Sequence, residues 1–217
     1  MDFNVNEDIR KAETLPAQFY QSEEVFEILK ELVYKRSFYF IGVEFDAQQA
    51  NIQPINLLEV FMKEPLILTR NKQNELKRIS NECTHRANII CIEPKSAHSI
   101  VCGYHGRKFD LSGKFLSMPE FELAESFPRP CDHLKEYPLK NWSQFTFTGI
   151  NPSFDFTAIA EPLNERLGFL PLSEFVFNAT LSKNYLVNAH WALYCDNYLE
   201  GVHIPFVHKD LNSVLDY

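Results

Sequence analysis

The sequence has no long apolar run, no basic leader and an excess of negative charge. No stretch approaches the ~18 apolar residues that a membrane span requires. The acidic residues 1–8 lack the basic and apolar parts of a secretory signal. Lys and Arg number 21 against 29 Asp and Glu, a net charge of −8. Because nucleic acids and anionic membrane surfaces attract positive charge, we expect neither as a partner.

Export and a disulfide framework are also unexpected. Without a secretory signal, the sequence predicts a cytoplasmic location, where thiols stay reduced. An odd number of cysteines fits that expectation, because a framework of disulfides pairs cysteines two by two. The five cysteines are Cys83, Cys91, Cys102, Cys131 and Cys195.

The first two thirds of the chain have the pattern of a helix followed by many short strands. Apolar residues recur at helical spacing over 23–36, and Ser22 is placed to cap that helix. From residue 37 to 150, short β-branched and aromatic runs alternate with Asn, Lys, Gly and Pro turns. This spacing predicts an N-terminal helical arm over 1–36 and an all-β antiparallel barrel or sandwich over 37–150.

The pattern changes after residue 150. A helical stretch lies near 157–168, an alternating pattern typical of two strands covers 174–188, and a helical pattern covers 190–208 until Pro205 interrupts it. We therefore expect a second domain over 151–217 with both helices and strands. The fold class predicted for the whole chain is α+β.

Two pairs of potential metal ligands fall inside the predicted β domain. Cys83 and His85 form the first pair, and Cys102 and His105 form the second. Zinc fingers usually group Cys with Cys and His with His, whereas each loop here carries one of each. That arrangement suits a two-iron cluster in which one iron takes both thiolates and the other takes both imidazoles. A zinc ion is the alternative at this point.

The residues around these pairs, CTHRA at 83–87 and CGYHGRKFDLSGKF at 102–115, resemble the Rieske family. The resemblance implies two cluster-binding loops and a [2Fe–2S] cluster. Its ligands are then Cys83, His85, Cys102 and His105.

Four neighbouring positions indicate a low reduction potential. High-potential Rieske proteins carry two disulfide-forming cysteines and two hydroxyl residues that hydrogen-bond to the cluster sulfurs. The corresponding residues here are Asn88, Tyr104, Arg107 and Phe109. With fewer hydrogen bonds to stabilise the reduced cluster, we expect a potential near the bottom of the Rieske range, about −150 mV.

A second group of polar residues lies near the end of the chain. Asn197, Glu200 and His203 are spaced i, i+3, i+6, so a helix would place them on one face. His208 lies too far round a straight helix to meet His203, and Pro205 is expected to end the helix and let His208 turn back.

The spacing Glu200-x2-His203-x4-His208 resembles the catalytic subunits of Rieske non-heme iron oxygenases, with a likeness to the choline monooxygenase branch. The resemblance implies that His203 and His208 bind a mononuclear Fe(II). Glu200 then accepts a hydrogen bond from a ligating histidine and bridges to a cluster histidine of the next subunit in a homotrimer. We add Asn197 as a further candidate catalytic residue.

The family's third iron ligand, a carboxylate, comes from a helix well over a hundred residues further on. The resemblance therefore implies that residues 151–217 are the truncated start of a helix-grip-like catalytic domain. It also implies that this chain alone is inactive.

The function implied by this resemblance is electron transfer from the cluster to Fe(II), which activates O2 to hydroxylate or demethylate a small organic substrate. A reductase or a ferredoxin would supply the electrons. Two other functions stay open: a low-potential, ferredoxin-like Rieske electron carrier, and a cluster-bearing regulatory or structural module. The His203 and His208 pair favours the oxygenase, since an electron carrier has no use for it.

Overall fold

The computed structural model describes residues 3–43, 50–59 and 62–214. These residues divide into two units. One unit extends from Leu32 to Phe177, and the other joins the described residues up to Glu31 with those from Asn178 onward. The functional domain limits predicted above, 1–36, 37–150 and 151–217, stay a prediction. Within the described ranges, no helix has both the length and the apolar character needed to cross a bilayer.

The larger unit contains three antiparallel sheets of three strands each. This arrangement, together with the helices described below, confirms the predicted α+β class. The strands of the first sheet are, in spatial order, β1 (Tyr39–Val43), β9 (Phe145–Thr148) and β8 (Leu139–Trp142). Those of the second sheet are β2 (Ile52–Leu57), β3 (Glu64–Arg70) and β4 (Leu76–Ser80). Those of the third sheet are β5 (Ile100–Val101), β6 (Lys108–Phe109) and β7 (Phe115–Ser117).

The main core lies between the second and third sheets and includes two predicted cluster ligands. β-Branched residues from four strands are fully buried there, and Ile67 of β3 pairs directly with Ile79 of β4. Cys83 and Cys102 belong to the same buried cluster. The core therefore supports the base of both predicted ligand loops.

Phe109 of β6 is the largest apolar side chain at the centre of this core, with no exposed surface. We expect Phe109→Ala to lower the free energy of unfolding by about 3–5 kcal/mol, because it removes buried apolar area and leaves a cavity. Urea unfolding measures this loss. Phe177→Ala is the matched control, since that ring is 64% exposed, and an equal loss in both variants would contradict the assignment of the core.

The N-terminal arm is helical, as predicted. It contains α1 (Ala17–Gln21) and α2 (Glu23–Leu29), and α2 continues as a π-helix over Lys30–Tyr34. The Ser22 hydroxyl accepts a hydrogen bond from the backbone N–H of Val25 (3.3 Å), which confirms the predicted cap.

The predicted pair of strands over 174–188 is wrong. Helix α3 (Thr157–Leu167) forms as predicted, but residues 168–190 contain only two short 3₁₀ turns, Leu172–Glu174 and Ala179–Leu181, within irregular backbone. A strand requires a neighbour for its N–H and C=O groups. In the part of the chain that the structure describes, none pairs with these residues.

The helix predicted from residue 190 to an interruption at Pro205 ends earlier, after Leu199. The segment forms three short helices: α4 (Trp191–Leu199), α5 (Ile204–Val207) and α6 (Lys209–Asn212). Glu200 has an extended backbone (φ −119°, ψ 150°), so the face expected to join Asn197, Glu200 and His203 does not form. Pro205 lies in the first turn of α5 instead of ending a helix, since proline fits the first turn, where N–H groups have no partner within the helix.

The arm packs against α4 within the smaller unit. Aromatic rings of the arm surround His190 at centroid distances of 5.8–6.4 Å, and the hydroxyl of Tyr20 donates a hydrogen bond to Asp196 of α4 (2.5 Å). The three rings are those of Phe19, Tyr20 and Phe26.

Candidate metal centres

The first predicted ligand loop is a tight turn after β4 that begins at Cys83. The backbone N–H of Cys83 donates to the carbonyl of Asn88 (2.9 Å), and the carbonyl of Cys83 accepts from the N–H of Ala87 (2.9 Å). Ala87 has a positive φ of 51°, which lets the chain reverse direction. His85 lies at the tip of this turn.

The second loop repeats the same pattern after β5. The N–H of Cys102 donates to the carbonyl of Arg107 (2.9 Å), and its carbonyl accepts from the N–H of Gly106 (3.0 Å), whose φ is 70°. Each loop therefore anchors a buried cysteine at its base and presents a histidine near its tip. The two loops differ in that His85 is two residues after its cysteine and His105 three.

The two loops bring the four predicted ligands into one region. The rings of His85 and His105 lie edge to face, with 4.7 Å between their centroids. The thiols of Cys83 and Cys102 are close enough to influence each other's ionisation, and both residues are at most 3% exposed. Two thiols and two imidazoles form the donor set that a two-iron cluster requires.

The pKa shifts of His85 and Cys102 favour metal binding, whereas burial raises the pKa of the Cys83 thiol. Burial, together with the nearby His105 and two arginines, lowers the pKa of His85, which favours the neutral imidazole that binds metal. The Nδ1 atom of His85 is buried and has no hydrogen-bond partner among the described residues, so it is free to ligate iron. Burial opposes ionisation of Cys102, but the backbone N–H groups of Tyr104 and His105 lower its pKa and favour the thiolate.

Asn88, which stands where high-potential Rieske proteins have a disulfide-forming cysteine, also contacts a predicted ligand sulfur. Its side-chain Nδ2 donates to the carbonyl of Ile89 (2.9 Å) and lies 3.6 Å from the Sγ atom of Cys102, on the other loop. A hydrogen bond to a ligand sulfur stabilises the reduced, more negative cluster. We therefore expect Asn88 to raise the reduction potential of a bound cluster, which the neighbouring residues are predicted to keep low.

We expect Asn88→Ala to lower the reduction potential of the cluster. The shift should be roughly 20–60 mV, from about 0.5–1.5 kcal/mol for one hydrogen bond at 59 mV per tenfold change. A redox titration followed by visible absorbance measures it. Asn141→Ala, on an exposed position of β8, is the control and should leave the potential unchanged. A potential that stays constant in Asn88→Ala would contradict the role of this hydrogen bond.

The structure also brings together the two histidines predicted to bind a mononuclear iron. The ring centroids of His203 and His208 are 5.2 Å apart, with the ring planes 77° to each other. α5 brings about this approach: His203 precedes its first turn and His208 follows its last residue. The two histidine rings therefore lie close together, as predicted. The predicted helix that ends at Pro205 is not what brings them together.

Glu200 contacts the first of these histidines. One carboxylate oxygen bonds Nδ1 of His203, and the other accepts the backbone N–H of Val202 (2.6 Å). The bond with His203, followed by that with Val202, holds the pKa of Glu200 below its ordinary value despite a small opposing effect of burial. A carboxylate on Nδ1 leaves Nε2 of His203 to face a metal, as is common for metal-binding histidines.

No third iron ligand accompanies the two histidines. Over residues 3–43, 50–59 and 62–214, no group of three or more His, Cys, Asp or Glu side chains is arranged to hold a single ion. Asn197 lies in the last turn of α4 and is exposed. The structure does not join it with Glu200 and His203 on a common helical face.

Two residues near the cluster loops were not found from the sequence. Thr84 lies between the ligands of the first loop, and Asp132 is a buried carboxylate in a short 3₁₀ turn, Pro130–Asp132. The Thr84 hydroxyl donates to the carbonyl of Asp132 across 48 positions of sequence (2.9 Å). Such a contact leaves no mark in local spacing, so no signal in the sequence could have found it.

Comparison with known proteins agrees with this geometry. The model of the Rieske [2Fe-2S] domain matches residues 44–138. The chain therefore contains a Rieske [2Fe-2S] domain, and its predicted cofactor class is confirmed. The family comparison does not test the individual ligands, which stay predictions.

The similarity to known proteins extends over most of the chain. It is 25% identical over 215 residues to the carnitine monooxygenase oxygenase subunit of Acinetobacter baumannii, covering 95% of this chain and 55% of the relative. It is 28% identical over 209 residues to the subunit of the same name from Escherichia coli K12, covering 94% and 54%. It is 26% identical to choline monooxygenase of Arabidopsis thaliana, covering 69% and 38%. The chain is thus homologous to oxygenase subunits and spans about half the length of the curated relatives it matches.

Solved structures show the same fold. The apo form of the quaternary ammonium Rieske monooxygenase CntA matches with a TM-score of 0.68 and 23% identity, covering 91% of this chain and 57% of that one. Naphthalene 1,2-dioxygenase from Rhodococcus matches with a TM-score of 0.71 and 19% identity, covering 91% and 46%.

Proposed function

We propose that this chain forms part of a Rieske non-heme iron oxygenase subunit. The observation that carries the proposal is the meeting of His203 and His208, with Glu200 bonded to His203, in a chain that also contains a Rieske domain. An electron carrier needs the cluster alone. A pair of histidines held 5.2 Å apart, with a carboxylate orienting one of them, is typical of an iron site outside the cluster.

Each predicted residue has a distinct task in this proposal. Cys83, His85, Cys102 and His105 hold the cluster, which supplies single electrons when bound. His203 and His208 provide two of three ligands to Fe(II). Glu200 keeps His203 in one orientation and one tautomer through Nδ1. By resemblance to the family, Glu200 also contacts a cluster histidine of a neighbouring subunit in a homotrimer.

For the substrate, we propose a small compound with a quaternary ammonium group. The first relatives are named carnitine and choline monooxygenases, and both names refer to such compounds. An aromatic substrate is the alternative, because the chain is also 33% identical over 135 residues to the α subunit of a chlorobenzene dioxygenase. We further propose a reductase or ferredoxin as electron donor and the cytoplasm as the location.

A single-turnover assay tests the proposal. The protein, expressed from its complete gene, is loaded with cluster and Fe(II), reduced, and exposed to O2 with carnitine, choline or benzoate. We expect product in proportion to the reduced cluster with a quaternary amine. Product with benzoate alone would assign the aromatic class, and no product with any oxidisable substrate would contradict the oxygenase.

The same assay on residues 1–217 tests whether these residues complete the iron site. We expect no product from them, because the described residues supply two histidines and no third ligand. Stoichiometric product from these residues would show that the third ligand lies within them. If instead the complete protein binds two irons per chain and passes electrons without turnover, the electron carrier becomes the better description.

A further inference from the structure

A single buried residue, Asp132, connects the two cluster loops. Its backbone carbonyl accepts hydrogen bonds from the hydroxyl of Thr84 in the first loop (2.9 Å) and from Nη2 of Arg107 at the end of the second loop (3.3 Å). Its carboxylate Oδ1 accepts a stronger bond from the same Nη2 (2.8 Å). Asp132 therefore bridges Thr84 and Arg107, in addition to the direct contact between Asn88 and Cys102.

Asp132 is itself held firmly. Its Oδ2 accepts hydrogen bonds from the backbone N–H (2.7 Å) and the Nε (3.1 Å) of Arg129. Burial opposes ionisation, but these bonds and that from Arg107 hold the pKa of the Asp132 carboxyl well below its ordinary value, so the group is charged at neutral pH. The turn that carries it is therefore a rigid support.

The guanidinium of Arg107 is fixed from its other sides by aromatic rings. It lies 5.1 Å from the ring centroid of Phe115, 5.4 Å from that of Phe127 and 5.9 Å from that of Phe109, and the residue is only 3% exposed. A buried cation is screened far less by water and salt than an exposed one.

We propose that Asp132 is a positioning residue for the iron–sulfur centre. It ties the two ligand loops together through Thr84 and Arg107, and it holds the Arg107 cation beside the cluster while partly neutralising its charge. These bonds hold the two ligand loops in place before the cluster binds. This inference rests on the cluster assignment and not on the oxygenase reaction.

The charges predict shifts of opposite sign in the reduction potential. Reduction adds a negative charge to the cluster, so a nearby cation favours it and a nearby anion disfavours it. Asp132→Asn keeps the shape but removes the negative charge, and the potential should rise. Arg107→Gln removes the cation, and the potential should fall. In the double variant the two shifts should largely cancel.

Retention of the cluster tests the bridging role. With an iron chelator in excess, we expect Asp132→Asn and Arg107→Gln to lose the cluster roughly 10–100-fold faster than the wild type, as for other residues that orient metal ligands. Thr84→Val removes only the hydroxyl bond, so it should speed the loss without changing the potential. Arg10→Ala is the matched control: it removes an Arg–Asp ion pair with Asp8 in the smaller unit, its side chain is 84% exposed, and it should change the potential and retention little.

The outcomes separate this role from a merely structural one. Urea unfolding of each variant reports the stability of the fold. Opposite shifts in potential, with faster cluster loss, support the proposal even if stability also falls. Shifts of the same sign in both single variants, or unchanged potential and retention, would overturn it. A wild-type chain that binds no cluster would overturn both this inference and the ligand assignment.

Discussion

Cys83→Ser is expected to abolish the [2Fe–2S] cluster. The wild-type chain should contain about two irons and two acid-labile sulfides, with the visible spectrum of a Rieske protein. Cys83 and Cys102 are the thiols at the bases of the two matching loops, so loss of either leaves one iron without half of its protein ligands. A serine hydroxyl is a much harder ligand and a weaker one for this site. Iron and sulfide analysis measures the loss.

Two other cysteines are suitable controls for this experiment. Cys131 is exposed, and Cys91 is buried in the same core as the loops. Cys131→Ser and Cys91→Ala should keep the cluster, although Cys91→Ala can cost some stability. Zinc without sulfide in the wild-type chain, or a full cluster in Cys83→Ser, would contradict the assignment of the ligands.

Glu200→Gln is expected to slow electron delivery from the cluster to Fe(II) by roughly 10–100-fold, the range seen when a group behind a metal ligand is replaced. The amide oxygen of glutamine can still accept the Nδ1–H of His203, so the ring should keep its orientation. What is lost is the negative charge beside the imidazole. Stopped-flow absorbance of cluster reoxidation, in the protein expressed from its complete gene, measures the rate.

The iron content decides how that result is interpreted. Cluster and Fe(II) should both remain in Glu200→Gln, which would assign the defect to electron delivery. Glu165→Gln, on the exposed surface of α3, is the control and should reoxidise at the wild-type rate. An unchanged rate in Glu200→Gln would mean that this carboxylate takes no part in electron delivery.

The parts of the site that could be predicted from the sequence are those with a local signature. Each Cys–His pair lies within four residues, and its turn is closed by backbone hydrogen bonds of the same few residues. Five of the described strands, β1, β3, β4, β5 and β9, could be predicted for a similar reason, since alternating β-branched and aromatic runs suit a half-buried sheet. The Ser22 cap of α2 also depends on neighbours three residues apart.

The errors and omissions concern structure that depends on distant residues. The alternation over 174–188 is that of a strand pair, but a strand forms only beside a partner, and the described residues supply none there. The helix breaks after Leu199, where the Glu200 carboxylate forms hydrogen bonds with the backbone N–H of Val202 and with His203. Helix propensities do not predict such side-chain bonds. The bridge made by Asp132 joins residues 25 and 48 positions away.

The smaller unit is built from two ends of the sequence, and this affects when it can fold. Tyr20 and Asp196, which share a hydrogen bond, are 176 positions apart. At the usual speed of protein synthesis the arm waits roughly 10–35 s for its partner to be made. During that time the rings of Phe19 and Phe26 have no α4 to cover them. These rings therefore stay uncovered by α4 until it is made, whereas the residues between can complete their core while synthesis continues.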